Sequence, residues 1–143
     1  MDEVQEFLAT GLKRQIDADL ALHDGDPEPR MAMWSHTDPV TVLGARVPVI
    51  SGWPELERTF RWLATRFSQS KAFDFELVAA GVSGDLAYTV GFEKSEFSMD
   101  GGPVRPATLR VTHVYRREDG EWRIVHRHGD GPPADERPWA VGR

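Results

Sequence analysis

The stretch that most constrains this chain is Thr108 to Asp130, TLRVTHVYRREDGEWRIVHRHGD. It reads as two alternating strands joined by a tight turn at Glu118-Asp119-Gly120. One face of such a hairpin lines up Arg110, Thr112, His126 and His128 with Val114, Trp122 and Ile124. Apolar wall mixed with convergent polar groups is what a small-molecule pocket needs.

Register determines which side chains share that face, because a one-residue slip flips all of them. A two-residue loop at Asp119-Gly120 pairs His113 with His126. A three-residue loop, with Gly120 in the left-handed conformation, sets Arg116 by Trp122, Val114 by Ile124, Thr112 by His126 and Arg110 by His128. The three-residue loop is preferred, since it turns Trp122 and Ile124 inward and Arg123 and Arg127 outward. The outer face then keeps Val111, Tyr115 and Val125, a half-apolar surface that suits a dimer contact.

The chain has 143 residues, enough for one domain with its own core. Hydrophobic residues at 40% and charged residues at 28% are ordinary for a soluble globular protein. A net charge of -6 argues against a general nucleic-acid or anionic-membrane binder. The lack of cysteine excludes disulfides, thiolate metal sites and cysteine nucleophiles, and fits a cytoplasmic location. The acidic, amphipathic N-terminus has no signal-peptide pattern, and no apolar run is long enough to span a bilayer.

In chain order, Val4, Phe7, Leu8, Leu12, Ile16 and Leu20, with Leu22 as a further candidate, recur at helical spacing over residues 2 to about 22. Gly25 stops that helix, and Asp26-Pro27 starts a short one reaching about Met33. Val40 to Gly44 and Arg46 to Ile50 form a small hairpin. Ser51-Gly52-Trp53-Pro54 opens a third helix with Leu56, Phe60, Leu63, Ala64 and Phe67 as its stripe. Ser68 to Lys71 breaks the pattern. Ala72 to Val82, Leu86 to Phe97, Arg105 to Arg117 and Glu121 to His128 are strands. Residues 131–143 read as a surface arm of a single domain spanning 1–143. Helices followed by runs of antiparallel strands predict an α+β fold, a curved antiparallel sheet wrapped around the N-terminal helices so as to enclose a cone-shaped cavity.

The segment DGEWRIVHRHGDGP, with LRVTHVYRR before it, resembles the SnoaL-like branch of the nuclear transport factor 2-like superfamily. The resemblance is strongest at Gly120, Trp122, Ile124-Val125-His126 and His128, and the element order fits over nearly the whole chain. The same hairpin is similar to that of the association domain of calcium/calmodulin-dependent kinase II. The resemblance implies a cone-shaped α+β fold, commonly dimeric through its sheet, with a pocket at the open end. The family includes isomerases, cyclases and dehydratases as well as members that only bind or assemble, so fold alone gives no reaction. Ketosteroid isomerase uses an aspartate base with a tyrosine and a protonated aspartic acid. Where that base would sit this chain has Gly44, and its Arg105–Tyr115 strand has no aspartate. SnoaL-like cyclases use a pocket aspartate, for which Asp38 and Asp26 are the nearest candidates.

From these residues, His126 is the candidate general acid/base, its near-neutral reference pKa suiting proton transfer. Asp38 or His36 is the second proton-transfer group. Arg110 and Thr112 are expected to hold an oxyanion or carboxylate, with His128 beside them. The alternative role of Arg110 is an ion pair with Asp38, Glu93 or Asp130. Trp34, Trp53, Trp122 and Phe60 are expected to line or floor the cavity. No metal site and no cofactor are implied, as the chain has no GxGxxG, P-loop or reliable metal spacing. The expected function is small-molecule binding, with isomerase, cyclase or dehydratase-type chemistry on a carbonyl-containing substrate. The expected assembly is a homodimer through the sheet. The alternative is a noncatalytic dimerisation or scaffold module with a vestigial or anion-binding pocket, which a cavity filled by Trp34, Trp53 and Trp122 would favour.

Overall fold

A computed structural model describes residues 2–140 of the chain. The expected Met1 start and the last three residues of the C-terminal arm lie outside the described residues. A helical rod opens the fold: α1 (Glu3–Phe7), a π-helical turn (Leu8–Leu12) and α2 (Lys13–His23). Asp2 begins it with a capping box, its carboxylate accepting from the Gln5 backbone at 2.8 Å while the Gln5 side chain accepts from the Asp2 backbone at 3.1 Å. Gly11 lies in the π-helical turn. A Cβ there would meet the Phe7 ring at 2.8 Å and Trp122 Cβ at 3.4 Å, so its lack of side chain lets the rod press against the sheet.

The wider π-helical turn also shifts the phase of the rod. Its buried residues are Phe7, Gly11, Gln15, Ala18, Asp19, Leu22 and His23. The apolar stripe expected from spacing holds at Phe7 and Leu22 but not between them. Leu8, Leu12 and Ile16 are only half-buried, and Leu20 is 42% exposed.

Two further helices follow, α3 (Glu28–Met33) and α4 (Trp53–Arg66). Between them β1 (Thr41–Leu43) and β2 (Ile50–Ser51) are shorter than expected. The long strands are β3 (Phe67–Ser83), β4 (Leu86–Met99), β5 (Arg105–Glu118) and β6 (Glu121–Asp130). One six-stranded sheet runs in the order β2-β1-β6-β5-β4-β3. It is antiparallel except where β1 lies parallel to β6. No helix among the described residues is long and apolar enough to cross a membrane.

The strand pairing carries three irregularities that bend the sheet, two between β3 and β4 and one between β5 and β6. The first, between Ser68 and Ala72, falls where the sequence pattern broke, yet the strand continues through it, with Gln69 at φ 54°. The third overturns the expected hairpin register. Glu118 pairs with Glu121, so the loop is the two-residue Asp119-Gly120, both at positive φ. Tyr115 then pairs with Ile124 but Val114 with His126, leaving Val125 as an extra residue. Beyond this bulge the faces exchange: His113 pairs with Arg127, Thr112 with His128 and Arg110 with Asp130. The concave face therefore carries Val111, His113, Tyr115, Trp122, Ile124 and Arg127, all buried. Arg110, Thr112, Val114, His126 and His128 turn to the outer face.

The apolar interior has two parts. Phe7, Trp34, Tyr115, Trp122 and Ile124 belong to the larger, where Phe7 meets Tyr115 edge-on at 4.7 Å and Trp122 at 5.3 Å. Leu22, Ala64, Phe67 and Phe97 form the smaller. On β4, Gly91 allows β3 to pass close by. A Cβ at that position would lie 2.5 Å from the Glu76 carbonyl oxygen and 2.7 Å from the Phe75 ring. Gly91→Ala is expected to destabilise the fold by about 1–3 kcal/mol through this overpacking. Urea denaturation measures it, and an unchanged midpoint would contradict the close approach.

Candidate functional site

The concave face is organised by buried charge. Asp19 of α2 accepts from Arg30 Nε at 3.0 Å and Nη2 at 2.6 Å, and from the Gln15 side-chain amide. Arg127 of β6 meets Glu93 of β4 in a two-pronged pair at 2.7 and 2.9 Å. Arg127 Nη1 also lies 3.8 Å from Asp19 Oδ2, joining the two pairs into one quartet. All four side chains are nearly solvent-free, so each charge depends on its partners.

His113 completes the network, its Nε2 3.2 Å from Arg127 Nη1. A guanidinium only donates, so Nε2 accepts and the ring proton sits on Nδ1, which finds no partner. Burial, reinforced by Arg127, holds the His113 pKa well below its ordinary value. Burial opposes charge on Asp19 too, but Arg30, Arg127 and His113 outweigh it and keep the carboxyl far below the usual range. Burial likewise presses Arg127 toward neutrality, and Glu93 and Asp19 reverse that. Asp19, Glu93 and His113 place three potential metal-ligand atoms within 4.8 Å of one another. The Arg127 guanidinium already contacts all three residues, and the two carboxylates are matched by two guanidinium groups. The donor set therefore fits an arginine better than a cation.

A cavity of about 90 Å³ adjoins this quartet. Glu93, Arg30 and Arg127 line it together with Thr59 and Ser95, against apolar walls that include Leu63, Phe67, Phe97 and Leu109. His23, at the end of α2, also lines it and stacks on Phe97 with ring centroids 4.1 Å apart. The His23 Nδ1 is buried without a partner, and burial lowers its pKa to about 4. The ring is thus neutral at pH 7. Arg46, in the loop between β1 and β2, reaches the same cavity.

The residues expected to form the site do not converge on this cavity as a group. His126 is half-buried on the outer face, its Nδ1 2.8 Å from the Thr41 hydroxyl. Burial and neighbouring His128 lower its pKa, partly countered by Thr41. His128 is exposed, 3.5 Å from Asp130. Arg110 pairs with Asp130 at 2.8 and 3.0 Å, and Thr112 lies on the same outer face. Asp38 accepts from the Trp53 backbone at 3.1 Å and so caps α4. His36 stacks on Trp53 at 3.7 Å and bonds the Met31 carbonyl at 2.8 Å. Trp34 and Trp122 are buried in the larger core, whereas Phe60 lines the cavity with Arg30 over its ring at 5.2 Å.

Sequence reasoning missed Asp19, His23, Arg30, His113 and Arg127. For Arg127 the available signal was Ile124-Val125, two adjacent apolar residues that interrupt strict alternation and mark the bulge; for His113 it was the two-residue Asp119-Gly120 turn.

Comparison with known proteins places this geometry. The family described as SnoaL-like domain matches residues 18–134. A nuclear transport factor 2-like superfamily protein from Salmonella enterica superposes with a TM-score of 0.74 at 21% identity, covering 96% of each chain. A candidate dehydratase of the same superfamily from Streptomyces avermitilis gives 0.68 at 24% identity, covering 87% of this chain and 94% of that one. A candidate calcium/calmodulin-dependent kinase II association domain from Thiobacillus denitrificans gives 0.65 at 19%, covering 82% and 91%. These likenesses show the cone-shaped α+β fold expected from the sequence. F-box protein SKIP8 of Arabidopsis thaliana is 26% identical over 111 residues, 76% of this chain; the chain spans 44% of the length of that relative.

The buried histidines set a pH dependence. With folded pKa values below the unfolded value near 6.5, the unfolded chain binds more protons as pH falls through that value. The stability from neutral His23 and His113 is therefore complete above about pH 7 and lost as pH falls. For His23 the loss extends toward its folded value of about 4. Urea denaturation from pH 7.5 to 4.5 should show stability falling by a few kcal/mol. His23→Leu should shallow that slope, and an unaltered slope would contradict the assignment.

Proposed function

The chain belongs to the SnoaL-like domain family, and on that footing we propose that it binds a small organic molecule in the cavity beside the buried ion quartet. One observation carries this reading. The concave face keeps an unfilled space lined by buried polar side chains and apolar walls, while Trp34 and Trp122 pack elsewhere. That combination orients a ligand by a few polar contacts and holds it by burial. The expected site residues on the outer face, His126, Arg110, Thr112 and His128, are not required for it.

A second reading, acid/base chemistry on a carbonyl-containing substrate, is favoured by His23. Its Nδ1 is buried without a partner, on a residue that lines the cavity, and an imidazole there is the kind of group proton-transfer chemistry needs. A pKa near 4 makes it a weak base at neutral pH, so binding is the stronger reading. Cyclopentanone in heavy water separates the two. Binding alone gives shifts of Leu63 and Leu109 methyl resonances without added exchange. Catalysis gives α-proton exchange above the buffer rate, lost in His23→Ala. Ala107→Phe, which puts a ring into the cavity wall, should abolish both effects; shifts that survive it, or their absence in the native chain, would sink the proposal.

Two copies pair through the outer face of the sheet in this reading. Leu86 is 52%, Tyr88 43% and Val78 55% exposed, an apolar surface at the end of β3 and β4. Sedimentation velocity should show a dimer that Tyr88→Glu dissociates. A native monomer at high concentration would refute the pairing.

A further inference from the structure

The charge of the cavity does not cancel. Arg30 is matched by Asp19 and Arg127 by Glu93, and His23 is neutral. That leaves Arg46. The acid whose field reaches it, Asp100, is held by Arg66 in a two-pronged pair at 3.0 and 2.9 Å. Among the described residues no carboxylate lies within ion-pair distance of Arg46.

Its position gives that charge a use. Arg46 lines both the inner cavity, where it is the one unmatched charge, and an outer groove of about 280 Å³ bordered by Met99, Pro103 and Arg105. Phe97 and Ala107 also border both spaces, so the three residues stand between them. The Arg46 guanidinium carbon lies 5.9 Å from the centroid of the Phe67 ring, which holds the group over an apolar wall.

We propose that the cavity takes a small organic monocarboxylate, its carboxylate on Arg46 where the two spaces adjoin and its apolar body against Leu63, Phe67 and Phe97. This rests on the reading of the cavity as a binding site. One unmatched positive charge suits a monoanion, and the planar guanidinium fork suits a carboxylate. The walls exclude a bare inorganic anion, which would gain nothing from them. A volume of about 90 Å³ holds several waters, hence a short chain or a single ring and not a polycyclic body.

Titration calorimetry of the full chain with butyrate and benzoate, against butyramide and benzamide, tests the assignment. Arg46 is exposed, so the acids should bind about two- to fivefold more tightly than the amides, the effect of one solvent-screened charge pair. Arg46→Gln should erase that preference, and Arg46→Lys should keep part of it. Equal affinity of acids and amides, or a preference that survives Arg46→Gln, overturns the anion assignment while leaving the cavity reading standing. No binding of any of the four to the native chain overturns both.

Discussion

Removing Arg127 from water is the constraint on which much of the fold depends. A buried guanidinium is tolerated only with carboxylates placed around it, and here they come from two directions. Glu93 lies two strands away on β4, and Asp19 lies on α2. Asp19 is in turn anchored by Arg30 of α3. The quartet thereby fixes two helices against two strands with charged hydrogen bonds, whose geometric demands are stricter than those of apolar contact. Apolar packing of Phe7, Tyr115 and Trp122 supplies the bulk of the burial at one end; the ionic lattice sets how the other end stands open.

That arrangement explains why the interior is not filled. Side chains committed to each other cannot collapse into the neighbouring space, and Phe60 is held under Arg30 in the same way. The smaller cluster around Phe67 and Phe97 closes the far side. The cavity is therefore a product of ionic geometry as much as of sheet curvature. The outer face carries a different chemistry, short ion pairs such as Arg110 with Asp130 amid apolar side chains.

Much of the fold was legible in the sequence. Strand alternation, proline and glycine punctuation and the long terminal hairpin gave the α+β order, and the match over residues 18–134 agrees with the resemblance read from Gly120, Trp122 and His126. The site was less legible because faces are assigned by counting, and counting fails at an inserted residue. Val125 moved His126 and His128 outward and Arg127 inward. The presence of Val111 and Tyr115 on the supposed outer strand face already pointed the other way, since those are the residues a core needs. Asp19 and Arg30 were hidden for another reason: an isolated charge on an amphipathic helix looks solvated until its partner is located in space.

The π-helical turn at Leu8–Leu12 has a consequence for how this protein can change over time. It divides one rod into two lengths with separate allegiances. The first presents Phe7 to the aromatic interior, and the second presents Gln15, Asp19 and His23 to the ions and the cavity. Variation at Phe7 bears on the aromatic interior, whereas variation in the second length, which carries Asp19 as well as His23, alters durability and ligand preference together.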